Sequence, residues 1–213
     1  RASLAYNEAV SLHFEGVLDA QAMIRALHAL LARHEALRGT LSADGAQFCI
    51  AAQVELPLQR QDLSGASDAQ REAAVGDVLR RAVEDPFDLT AGPLLRADLL
   101  RLGDAAHLLV LATHHIVCDG WSFGVIVRDL SALYARECGA AAIDLPIADS
   151  FADFAMAEAL HPQSDGYAID EAYWTGRYAQ VPEPLELPLD RARPRQRSFA
   201  SHRQDRILDG ELV

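Results

Sequence analysis

The chain has 213 residues, half of them hydrophobic, which supplies a sizeable core and excludes a disordered polymer. The formal net charge of −12 argues against nucleic acid as a partner, and all 19 basic residues are Arg, so no lysine is present for a Schiff base or a P-loop. No apolar run reaches the length of a membrane span and no basic-then-apolar leader is visible, so a cytoplasmic location is expected.

The elements follow in chain order. Val10, Leu12 and Phe14 share one parity, as on a half-buried strand. Gly16 to Asp19 turns the chain, with Asp19 as N-cap of a helix running to about Glu35. Met23, Leu27, Leu30, Leu31 and His34 recur at helical spacing and mark its core face. Ser42-Ala43-Asp44-Gly45 has hairpin-turn chemistry and joins strands at 37–41 and 47–51. A short extended segment at 54–58 is demoted by Pro57. Asp68 caps a helix to about Glu84, with Val75, Leu79 and Val83 spaced four apart, and Pro86 prevents its continuation. Strands at 94–102 and 107–113, joined by Gly103-Asp104, pair antiparallel in the middle of the sheet. A core-facing helix then runs from about Ser122 to Glu137 through Val125, Ile126, Leu130, Leu133 and Tyr134, and Gly139 ends it. Residues 140–147 form a linker. Phe151 and Phe154 make an aromatic patch that anchors a helix. The alternating Arg191, Arg193, Arg195 and Arg197, with Pro194 among them, read as a solvated extended segment.

The chemistry concentrates at Thr113-His114-His115-Ile116-Val117-Cys118-Asp119-Gly120-Trp121-Ser122. The His pair lies where a buried strand exits, followed by the turn residues Asp119 and Gly120. A neutral imidazole is a base whose ordinary pKa, about 6.5, is close to working pH. Adjacent strand residues point to opposite faces, so His114 and His115 do not converge on one metal ion with Asp119. The cysteines, Cys49, Cys118 and Cys138, are odd in number and form no CxxC, so reduced thiols are the default.

This stretch resembles the HHxxxDG signature of condensation domains from nonribosomal peptide synthetases, within the chloramphenicol-acetyltransferase-like superfamily. Arg33-His34-Glu35-Ala36-Leu37-Arg38-Gly39-Thr40 resembles the RHExLRT motif, with Gly39 as an altered spacing. Pro86-Phe87-Asp88-Leu89 with Gly92-Pro93-Leu94-Leu95-Arg96 is similar to PFDL…GPLLR. Phe151-Ala152-Asp153-Phe154-Ala155 is similar to YxDFA, and Tyr173-Trp174 with 185–190 to YW…LxLPxD. The resemblance spans the chain but only the first half of such a domain.

It implies an α/β fold of the two-layer sandwich type, with a central mixed or antiparallel sheet flanked by helices. Residues 1–190 would be the N-terminal subdomain. Residues 191–213 would begin the connection to the C-terminal subdomain. The implied reaction is amide formation between donor acyl or peptidyl and acceptor aminoacyl thioesters, both carried on phosphopantetheine arms of carrier proteins. His115 would position the amine and accept or relay its proton, and the Gly120 N–H would face developing negative charge. Asp119 and His114 would be structural. Arg38 is the expected ion-pair partner of Asp119, with Arg33 second. No directly bound cofactor or metal is expected. The partners implied are the two carriers, the C-terminal subdomain and neighbouring synthetase domains. The rival readings are an HHxxxDG acyltransferase with a free acceptor, a non-catalytic recruitment domain and a metal hydrolase.

Overall fold

A computed structural model describes residues 2–141 and 144–183, and beyond them 185–186, 188–192, 195–196 and 210. Its frame is a four-stranded mixed sheet of β1 (Asn7–Glu15), β6 (Ala106–His114), β5 (Leu95–Gly103) and β4 (Leu58–Asp62), in that order across the sheet. β1 and β5 flank β6 antiparallel, and β4 adds to β5 in parallel. A separate hairpin pairs β2 (Gly39–Leu41) with β3 (Phe48–Ile50).

Helices cover both faces, so β6 is apolar on both sides, as sheets buried on two faces require. Leu109 and Leu111 face α1 (Ala20–Arg33) and α3 (Gly120–Glu137), in one cluster with Met23, Leu27, Leu30, Ile126, Leu130 and Leu133. Leu108, Val110 and Ala112 face α2 (Asp68–Glu84), with Val78, Ala82, Phe87 and Leu100. The inward parity of β1 holds: Val10 and Leu12 lie opposite Leu111 and Leu109, and with Phe14 they pack against the first cluster. The central pairing of β5 with β6 is as expected.

Caps set the helix limits. Asp19 accepts N–H bonds from Gln21 and Ala22, and its own N–H donates to the Tyr134 hydroxyl, tying α1 to α3. α1 stops at Arg33 rather than Glu35, because His34 is extended and a 3-10 turn, Glu35–Arg38, follows. Ser67, not Asp68, caps α2, through a reciprocal box with Gln70. The buried stripe of α2 runs through Val78 and Ala82, whereas Leu79 and Val83 are exposed. The extended segment expected at 54–58 lies four residues later: β4 runs Leu58–Asp62 and starts after Pro57, where the backbone can donate again.

Past α3, Gly139 takes a positive φ of 80° and ends the helix. α4 (Phe151–Leu160) and α5 (Asp165–Arg177) follow, joined by a 3-10 turn. Phe151 packs on Phe48 at 5.0 Å between ring centroids, the expected aromatic anchor. Neither helix has a buried residue. Arg191 and Arg195 are exposed, while Leu187, Arg193, Pro194 and Arg197, with most of 191–213, lie outside the described residues.

Candidate active site

β6 delivers the histidine pair and then releases the chain. His114 is the last strand residue, paired with Asn7, and shares the face of Ala112 and Val110. It is buried, edge-on to Phe87 and tilted against Tyr6. Its Nδ1 accepts the Ile116 N–H at 3.2 Å, so that nitrogen carries no proton and Nε2 does. Burial, and then the neighbouring His115, hold its pKa below the ordinary histidine value. His114 is therefore a neutral group that fixes the turn. The PFDL stretch contributes here too: Arg96 lies over the Phe87 ring at 3.9 Å and donates to the Asp85 carbonyl, as Asn7 does from β1.

His115 is the opposite case. Its backbone N–H still bonds the Tyr6 carbonyl at 2.8 Å, so the strand holds its root. Its side chain is 44% exposed. Nδ1 lies 2.8 Å from the Cys118 carbonyl, which can only accept, so the proton sits on Nδ1. That leaves Nε2 as the basic nitrogen, with no hydrogen-bond partner among the described residues. The Cys118 carbonyl raises the pKa of this ring most, followed by the Glu8 carboxylate, whose Oε1 is 3.5 Å from Nδ1. The Cys118 side chain is buried, which pushes its thiol up and away from nucleophilic use.

Asp119 caps α3. Its carboxylate accepts the Ser122 hydroxyl at 2.6 Å and the Ser122 N–H at 2.8 Å, bonds that hold its pKa below the ordinary carboxylate value. Gly120 is the first residue of the helix, and its N–H has no partner among the described residues. A Cβ added at Gly120 would meet no atom of the described residues within 4 Å, its own neighbours in the helix aside. Beside this turn, His34, Leu37, Val117, Trp121, Ser122 and Ile126 line a cleft of about 160 Å³. His115 lines neither this cleft nor the two larger hollows, of about 540 and 740 Å³, that lie elsewhere.

The expected Arg38–Asp119 ion pair is not formed. Arg38 turns back on its own segment, donating to the Leu31, Ala51 and Ala52 carbonyls, where it ties the end of α1 to the hairpin. Arg33, the second choice, bonds Asp129 at 2.8 Å instead. The physical reason is that Asp119 already spends its carboxylate on the helix start. Asp129, one face of α3 further on and fully buried, is the acid that needs a cation. His34 and Arg128 complete its shell at 3.0 and 2.8 Å. Burial pushes Asp129 up, but the bonds from Arg33, Arg128 and His34 outweigh it and keep the carboxyl below its usual value. Glu35 bonds the Ser150 hydroxyl and the Ala152 N–H at the start of α4. The Arg-His-Glu run is thus a junction of three helices. Glu8 was not singled out from sequence. The signal was there: it stands in line with Val10, Leu12 and Phe14, an acid at an inward position.

A basic nitrogen at a strand exit, next to a helix N-terminus and a cleft, is the kind of arrangement that acyl transfer uses. The family model described as "Condensation domain" matches residues 1–213. Chondramide synthase cmdD of Chondromyces crocatus is 40% identical over 206 residues, 93% of this chain and 5% of that protein. Phosphinothricin tripeptide synthetase PhsC of Streptomyces viridochromogenes is 40% identical over 216 residues, 98% of this chain and 19% of that one. The solved starter condensation domain of rhizomide synthetase RzmA aligns with a TM-score of 0.76 at 27% identity, covering 85% of this chain and 44% of that one. VibH, a condensation enzyme, aligns at 0.70 and 25%, over 85% and 43%. The chain belongs to the condensation-domain family. It spans less than half the length of these solved relatives and a small share of the synthetases.

Among the described residues, no three His, Cys, Asp or Glu side chains are grouped as metal ligands, and no helix is long and apolar enough to cross a membrane.

Proposed function

We propose that this chain is the first half of a domain that joins two carrier-bound acyl groups by an amide bond. The observation that carries the reading is the state of His115: Nδ1–H tied to the Cys118 carbonyl, Nε2 basic and open, on a ring rooted in the central strand. The acceptor's amine nitrogen attacks the donor thioester carbonyl. A C–N bond forms, the C–S bond breaks with its electron pair on sulfur, and the amine proton passes to Nε2 and on to the leaving thiolate. The Gly120 N–H is the donor assigned to the developing oxyanion. Both thioesters are on phosphopantetheine arms, so the direct partners are two carrier proteins. The remaining subdomain and neighbouring synthetase domains complete the assembly. Holding two tethered reactants together supplies much of the acceleration, up to about 7–11 kcal/mol in favourable cases.

The test uses the complete domain that contains this chain, with both carriers loaded. His115→Ala should keep the fold and lower the rate of amide formation about 10²- to 10⁴-fold, the usual range for removing a general base. Near-normal product by mass spectrometry would remove His115 from the mechanism.

A further inference from the structure

We infer that Glu8 is a positioning residue for His115, the charge that faces the ring as it takes up a proton on Nε2. The inference rests on the amide-forming reading above, and three observations carry it.

The first is register. Glu8 lies opposite Thr113 on β6, two residues before His115, and on the inward parity of β1. The other inward residues of that strand, Val10, Leu12 and Phe14, are apolar and pack on the core. A carboxylate in that series contributes nothing to packing that an aliphatic residue would not do better. The second is distance: Glu8 Oε1 stands 3.5 Å from His115 Nδ1. The third is an unpaid desolvation. Among the described residues, Glu8 Oε2 is buried with no hydrogen-bond partner. Buried acceptors without partners are rare in stable folds and concentrate where function retains them.

The geometry separates the two sides of the ring. Nδ1–H is given to the Cys118 carbonyl, so Glu8 is not the primary hydrogen-bond partner of the neutral ring. Its charge counts once the ring is an imidazolium, which is the state formed when Nε2 receives the amine proton. Opposite charge near the ring side away from the substrate stabilises that state without occupying Nε2. The other groups around the ring do not substitute for it. Asp119, whose carboxylate also accepts from Ser122, acts in the same direction as Glu8 but more weakly; His114 is a neutral neighbour, the Cys118 thiol is held protonated by burial, and the Tyr6 ring lies 6.3 Å away.

The test is Glu8→Gln, which keeps shape and removes charge. In this 213-residue chain, the titration of the His115 ring is followed by NMR, with circular dichroism as the check on folding. In the complete domain, rate is followed against pH. The expected result is a His115 midpoint moved to lower pH with His114 unchanged. The acidic limb of the rate profile should move the same way, and kcat should fall about tenfold with KM for the loaded carriers unchanged. Glu8→Asp should recover part of the rate. Should Glu8→Gln disturb the strand, Glu8→Met repeats the measurement with an apolar residue that suits the parity. An unmoved His115 midpoint in a folded variant would overturn the inference. A shifted midpoint with no amide product from the unaltered complete domain would uphold the pairing and overturn the amide-forming reading instead.

Discussion

Two residues that look alike in the sequence are set apart by a few ångströms of surroundings. His114 and His115 differ in face, tautomer and direction of pKa shift, and this has a consequence for stability. His114 and His34 are both held below the ordinary histidine value, chiefly by burial. Such groups bind protons more readily when unfolded. Their contribution is full above about pH 6.5 and drains as pH falls toward their folded values. His115 has the reverse sign: its contribution is present below about pH 6.5 and lost as pH rises through its raised folded value. Urea midpoints should therefore fall between about pH 7.5 and about pH 5.5, and His114→Gln should flatten that slope. A steeper slope in the variant would contradict the assignment. Two glycines make a similar contrast. A Cβ at Gly39 would sit 1.9 Å from the Phe48 ring, which packs at a tilt against Phe151. Gly39→Ala should cost about 1–3 kcal/mol by overpacking, measured by thermal melts. Gly120→Ala meets open space and sits at a helix start, so it should leave stability within about 0.5 kcal/mol. Any large loss of rate in Gly120→Ala would then report on the substrate side of the turn.

At the scale of elements, α1 and α3 are held by one buried acid. Asp129 collects Arg33, His34 and Arg128, and removing it leaves Arg33, itself largely buried, without a counter-charge. Asp129→Ala should cost about 2–3 kcal/mol in urea unfolding, below the 3–5 typical of fully buried pairs because Arg128 reaches water. Unchanged stability would mean that the apolar seam between the helices suffices. This junction also shows how far the sequence could be read. The strands and helices with strong periodicity, β1, α1, β5, β6 and α3, are where their patterns put them. β4 was displaced because Leu58–Asp62 is mostly polar; its strand character comes from pairing with β5, a tertiary effect that no local pattern carries. The helix α2 buries Val78 and Ala82, with Val75 packed beside them, and leaves Leu79 and Val83 exposed, because the sheet, not the spacing of four, decides which apolar positions turn inward. The position of His115 was legible from the strand-exit pattern. The partner of Asp119 was not: matching two motifs does not reveal that a carboxylate one position before a helix is satisfied by Ser122.

At the scale of the molecule, one surface remains open. Trp121 is 85% exposed beside the cleft, and Phe154, Met156, Ile169, Tyr173 and Trp174 are exposed along α4 and α5. The relatives of solved structure are more than twice as long as the part matched here. A reaction between two tethered groups needs walls on both sides of His115, and the described residues supply one. We expect the 213-residue chain alone to give no dipeptidyl product from two loaded carriers and to self-associate as concentration rises. Mass spectrometry and sedimentation would check both; turnover comparable with the complete domain would show that one wall is enough.

The pairing of β1 with β6 also imposes an order in time. Asn7 and Glu8 are synthesised roughly 100 residues before their partners His114 and Thr113, an interval of some 5–20 s at common synthesis rates. In that interval α1 and α2 can form locally, while β1 has no neighbour to accept its hydrogen bonds. The first strand of this sheet in chain order thus finds its place only when the last one is made. The reactive histidine acquires its acidic neighbour only in that closing step, so a nascent chain has no assembled site until its sheet is complete.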